Sequence, residues 1–202
     1  MSAPTQVSII NLSLSHVAAK PIQSLVEVTV QCQAALRAWD FVLKETLRGY
    51  NWGFAKTQVA LAEVATYTPL IYEYAYAMPA QCVAVRLVFN AGTLDQDVGE
   101  KFEVLYDPTT NQNIIVTDCE TAYAEYTYLV ADVTKFDSFF ITTLSHRLAA
   151  ELAMPLSGDK DMAKDQLTIF NTLCSEAHRH SSYESNKAHE SNEKSDIVDS
   201  RG

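Results

Sequence analysis

Cysteine is scarce and scattered. Cys32, Cys82, Cys119 and Cys174 lie at least 37 residues apart, which excludes a metal knuckle or a redox pair built from neighbouring thiols. Each sits among apolar neighbours and reads as a small buried hydrophobe. Glycine and proline are also few, six of each in 202 residues, and no glycine-rich phosphate loop appears. With 48% hydrophobic residues, the chain has material for one sizeable core with a small second lobe, so one domain plus a tail is expected. No apolar run approaches the roughly 18 residues that cross a bilayer. The stretch from Met1 to Gln6 lacks a basic segment followed by an apolar one, so a protein made and used without export through a signal peptide is expected. Basic residues are outnumbered, 15 against 25, and the net charge is −10. The excess is local: residues 51–132 carry −8, whereas 1–50 carry +1, 133–175 carry −1 and 176–202 carry −2. Affinity for nucleic-acid phosphates rests on Lys and Arg, so this balance argues against it. It is compatible with DNA sliding past without sticking.

What is present in strength is helical periodicity. Phe136, Phe140, Leu144, Leu148 and Leu152 fall at four-residue spacing with Phe139 and Ala149 beside them, one stripe along a helix expected over 136–154. Asp137 places a carboxylate at the positive end of the helix dipole, and Pro155 is expected to stop the helix. Burial of five such side chains contributes on the order of 10 kcal/mol, so the stripe needs a partner. Ser24, with Glu27 three residues on, suggests a capping box opening a helix over 24–48. Its stripe is Leu25, Val28, Cys32, Ala35, Leu36, Trp39, Leu43 and Leu47, and Gly49 is its expected stop. The two helices are expected to pack antiparallel. A shorter helix over about 5–18 carries Val7, Ile10, Leu14 and Val17 and is broken by Lys20-Pro21. A last one over about 160–179 carries Met162, Gln166, Ile169, Phe170, Leu173 and Ala177.

Between the long helices the period changes to two. Thr57, Val59 and Leu61, then Tyr72, Tyr74 and Tyr76, then Val83, Val85, Leu87 and Phe89 alternate with other residues, and Met78-Pro79-Ala80 makes a corner. Phe102, Val104 and Tyr106 are joined through Asp107-Pro108-Thr109-Thr110-Asn111 to Ile114 and Val116 as a hairpin, and Ala122–Val130 closes the set. The fold class expected is α+β: a bundle of three to four helices with an inserted antiparallel, strand-rich lobe over about 54–131. From Ser181 the pattern is lost, and six of the last twenty-two residues are Ser. This 181–202 tail is too poor in apolar residues to offset its ordering entropy and is expected to be ordered by a partner, with Tyr183, Ile197 and Val198 as anchors.

Candidate chemistry is thin. His178, His180 and His189 cluster without a carboxylate or thiol at ligand spacing, so metal binding is not expected. The acidic loop, with Asp95, Asp97 and Glu100, faintly suggests calcium but lacks the ligands and the Gly of a twelve-residue loop; a solvated loop is the expectation. His146 beside Ser145 lacks the sharp turn of a nucleophile motif, so catalysis is not expected. Eight of ten tyrosines fall between Tyr67 and Tyr128, which fits both strand propensity and a protein-binding surface.

Three stretches, taken together, resemble the head-to-tail adaptor family of short-tailed bacteriophages, also called tail tubular protein A. They are Asn51-Trp52-Gly53-Phe54-Ala55, the run from Tyr74 to Cys82, and the run from Phe136 to Leu156; the opening Asn11–Val17 with Ile22 and Ser24-Leu25 fits the same pattern. Gln81 stands where the family commonly has Asp, and Ser15-His16 replaces a Leu-Gly turn. The resemblance covers residues 7–179. It implies a non-enzymatic virion protein of the tail or neck, assembled in the host cytoplasm. Its partners would be further copies of itself in a ring of twelve, the portal above and nozzle or fibre proteins below. DNA would pass through unbound, and neither a cofactor nor a membrane is implied. A tail-completion, terminator or head-completion protein of a long-tailed phage is the alternative, and a small hydrolase a distant third.

Overall fold

The computed structural model describes residues 3–90 and 99–185, with side chains up to residue 177. The chain divides into two compact units, one of residues 1–50 with 137–202 and one of Asn51–Phe136. Among the described residues the fold is α+β, with four helices and two three-stranded antiparallel sheets.

The helical unit is built on one helix. Helix α3 (Ser138–Ser157) is the element on which α1 (Gln6–His16), α2 (Val30–Gly49) and α4 (Lys160–Ser185) all pack. Phe140, Leu144, Leu148 and Leu152 are buried as the periodicity predicts, together with Ala149. Asp137 caps the helix by accepting a hydrogen bond from the Phe140 amide at 2.7 Å. Pro155 does not stop it. Proline costs the helix one hydrogen bond and crowds the Glu151 carbonyl, which the final turn tolerates, and the stop is Gly158, whose φ of +69° suits a residue without a Cβ.

Helix α2 starts later than its sequence suggests. The Glu27 carboxylate does accept hydrogen bonds from the Gln23 and Ser24 amides, but it closes a turn there. The cap is Thr29, which accepts from the Cys32 amide at 3.3 Å. Val26, Val28 and Thr29 are β-branched and lose side-chain freedom in a helix, which displaces the start to Val30 and the Gln-Cys-Gln-Ala-Ala that follows it. Val28 and Leu36 are therefore exposed rather than part of the stripe, and Ala34, Val42 and Thr46 join Cys32, Ala35, Trp39, Leu43 and Leu47 inside. Gly49 is the last helical residue and keeps a negative φ, so no left-handed cap forms there.

Helix α1 opens with a capping box of Thr5 and Ser8 and ends two residues earlier than expected. Ala18, at φ +53°, reverses the chain, and Asn11 then grips the returning backbone by bonding both the amide and the carbonyl of Ile22 at 2.8 and 2.9 Å. Helix α4 runs six residues past its expected end, so Ser181–Ser185 of the expected tail are helical. Only Phe170 and Ala177 of its stripe are buried; Met162, Gln166 and Leu173 are half-buried, and Ile169 is exposed.

In the strand unit, β1 (Lys56–Ala60), β6 (Ala122–Tyr128) and β3 (Cys82–Asn90) form one sheet in that order, and β2 (Tyr74–Ala77), β5 (Gln112–Thr117) and β4 (Phe102–Asp107) the other. Phe136 belongs to this unit rather than to the α3 stripe, with its ring 5.6 Å from that of Phe54. Ile114, Ile115 and Val116 are all buried because β5 is covered on both faces. Ile115 joins Tyr76, Val88, Cys119 and Ala122 on one side, and Ile114 and Val116 join Ala75 on the other, beneath Val64, Tyr67 and Tyr72. The expected alternation of Val83, Val85, Leu87 and Phe89 fails. The register of β3 against β6 shifts between Cys82 and Ala84 and again between Val85 and Leu87. Each bulge adds a residue and turns the following side chains over, so Val88 reaches the core beside Val85. The hairpin turn forms as expected: Asp107 accepts from the Thr109 and Thr110 amides, and Asn111 takes φ +57°.

Candidate functional site

Of the acidic loop, Asp95 and Asp97 lie outside the described residues. Glu100 is exposed, and its amide donates to the Val88 carbonyl of β3 at 2.7 Å. Tyr183 stands on the last turns of α4, where only the backbone is described; Ile197, Val198 and His189 lie outside the described residues. His178 and His180 are on the same helix end. Among the described residues no group of three His, Cys, Asp or Glu is placed to hold a metal ion, and no helix is long and apolar enough to cross a membrane.

The features that stand out are apolar side chains turned outward. Val26 and Val28 are 87% exposed, Val30 and Phe41 follow on α2, and Leu167 and Ile169 face outward on α4. Phe41 also forms one wall of a shallow groove of about 380 Å³ with Ala34, Arg37, Ala38, Glu151 and Pro155. Exposed patches of large apolar residues are where soluble proteins meet partners. Beneath this surface Arg147, 7% exposed, lies 2.7 Å from Glu45 and 2.8 Å from Glu151, with its guanidinium 5.9 Å from the Phe41 ring centre. Two carboxylates and an aromatic face hold this buried cation, which fixes α2 against α3 and runs them antiparallel: Glu45 and Phe41 meet Arg147, and Ala34 and Arg37 meet Glu151 and Pro155. In the strand unit Leu70 is fully exposed and Ile71 nearly so, at the tip of the segment that covers the second sheet.

The polar centre of the strand unit is Glu125 on β6. Lys56 and Gln58 on β1 each reach one carboxylate oxygen at 2.9 Å, and the Asn51 amide reaches the other at 3.2 Å. Burial pushes the Glu125 pKa up, but the hydrogen bonds from Lys56, Gln58 and Asn51 and the Lys56 charge outweigh it and hold it below the ordinary value. Tyr76 acts similarly, its hydroxyl 2.7 Å from both the Cys119 and Glu120 carbonyls. These contacts pin edges of the sheets.

Ser145 and His146, adjacent in sequence, meet His16 from α1. His16 Nε2 lies 3.1 Å from the Ser145 hydroxyl, the two imidazoles stack at 4.1 Å between centres, and His146 Nδ1 lies 2.7 Å from the Gln166 side-chain oxygen on α4. Periodicity places each of these residues on a helix but carries no signal that they touch, because the contact depends on how α1 and α4 cross α3. A scan of known protein families finds no model that matches this chain, and a search of curated proteins finds no match either.

Proposed function

We propose that this chain is a structural virion protein, a head-to-tail adaptor whose copies close into a ring, on the order of a dozen subunits, between a phage portal and the tail nozzle or fibres. The observation that supports this most is the set of outward apolar side chains on the helical unit, Val26, Val28, Val30 and Phe41 on one stretch and Leu167 and Ile169 on opposite sides of α4. A ring is heterologous: each subunit needs two different surfaces, one for each neighbour. The stretches that carry the family resemblance are also the ones that build the joints of the fold. Trp52 and Ala55 are buried where the chain enters β1, the Tyr74–Cys82 run supplies β2 and the turn at Gln81, and Phe140–Leu152 supplies the core of α3. The strand unit, with eleven acidic against four basic residues, presents a charge that repels phosphate, in keeping with DNA that passes without binding. The reading places the protein in the virion neck after assembly in the host cytoplasm.

The test is mass in solution. Light scattering of the full chain, alone and with a purified portal ring, is expected to show assemblies of many copies, and Val28→Glu with Phe41→Glu is expected to return the chain to a monomer of unchanged circular dichroism. Removal of residues 181–202 is expected to leave the fold intact and weaken attachment to the portal. A chain that stays monomeric at all concentrations and ignores the portal would overturn the reading.

A further inference from the structure

We propose that His16 and His146 form an acid-sensitive latch, which holds the last turn of α1 on α3 while both rings are neutral and releases it when both carry a proton. The two residues are far apart in sequence, and the fold stacks their rings almost parallel, with 13° between planes. The hydrogen bonds fix the neutral forms. Ser145 spends its one hydroxyl hydrogen on the Thr142 carbonyl at 2.7 Å, so toward His16 it only accepts, and His16 carries its proton on Nε2. The Gln166 oxygen likewise only accepts, so His146 carries its proton on Nδ1. Each ring has one free lone pair, and a proton there gives two cations face to face at 4.1 Å.

The surroundings do little to neutralise that pair. On α1 His16 is the sole titratable residue, and Lys20 follows it in the chain. On α3, Arg147 and Glu151 pair with each other, and Glu45 of α2 with Arg147. On α4 the partner is the neutral Gln166, flanked by the exposed Lys164 and Asp165. A helix C-terminus favours a cation at His16, yet burial first, and then the charge of His146, hold its pKa below the ordinary 6.5. The sign follows from that direction. Below pH 6.5 the unfolded chain binds the proton more readily, so the latch is closed above this value and loses strength as the pH falls toward the lower folded value. Release is local, because Ile9, Ile10 and Leu14 remain in the core; what loosens is the reversal held by the Val17, Ala18 and Ala19 amides on the Leu14 and Ser15 carbonyls.

The experiment is histidine-ring NMR and amide exchange on the full chain from pH 8 to 5. The expected result is the Nε2–H form for His16 and the Nδ1–H form for His146 at pH 8, with the His16 midpoint below the ordinary histidine value. Protection of the Val17–Ala19 amides is expected to fall about tenfold by pH 5.5, with α2 unchanged, and His146→Gln is expected to abolish that fall. A His16 midpoint at or above the ordinary histidine value, or an undiminished fall in His146→Gln, would overturn the proposal. Should that variant not fold, His16→Asn serves the same test, since the latch requires its exchange also to become independent of pH.

Discussion

The helical and strand units are held by different physics. Of the twelve largest fully buried side chains among the described residues, ten lie in the helical unit and only Ile114 and Ile115 in the strand unit. Long aliphatic side chains from α1 and α2, and Phe170 of α4, converge on α3, where burial contributes about 1.5–3 kcal/mol apiece. The strand unit has small residues at its sheet contacts, such as Ala75, Ala122 and Ala124, and relies on ladders and on polar pins at Glu125, Tyr76 and Asp107. The lesson is that one chain carries two failure modes: lost volume breaks the first unit, and lost hydrogen bonds break the second. A reporter exists for each, since Trp39 is buried in the helical unit and Trp52 in the strand unit.

The largest expected effect is Leu148→Ala, which leaves a cavity at the centre of α3 and costs about 2–5 kcal/mol in urea unfolding followed through Trp39. An unchanged transition would break the claim that volume holds this unit. Next is Glu125→Ala, expected to cost about 1–3 kcal/mol at neutral pH, read through Trp52, because Asn51, Gln58 and Lys56 lose their shared acceptor. Its pH dependence sharpens the contrast. Glu125 is held below the ordinary 4.5, so its contribution is present above that value and disappears as pH falls through the lower folded value. The variant is expected to lack that acid-sensitive step. The smallest effect is Gly158→Ala, about 1 kcal/mol in thermal melting, because a Cβ is disfavoured at φ +69° although space for it is open.

Legibility follows locality rather than that divide. The α3 stripe and the favourable place of the Asp137 carboxylate at its start are readable because a four-residue period and an acid at a helix's positive end are local signals; that Asp137 also caps the Phe140 amide is a finding of the structure. The start of α2 was misplaced because a Ser–Glu pair three apart resembles a cap, while the β-branched run behind it decided otherwise. Ile169 fits the α4 stripe by spacing yet stays outside it, because among the described residues α4 packs chiefly on α3 and needs only a narrow seam. In β3 the alternation was real in sequence, and the bulges that break it arise from pairing with β6, which no single strand reveals.

The sequence by itself determined the kind and order of the elements and the acidic character of the inserted lobe, because periodicity, capping and charge are written residue by residue. Tertiary structure alone decided which faces stay open, that Arg147 lies between two carboxylates, that Glu125 gathers Asn51, Lys56 and Gln58, and that His16 stacks on His146. The physical reason is that each of these contacts joins residues from different elements, and their meeting depends on crossing angles and strand register that packing sets only after the elements have formed.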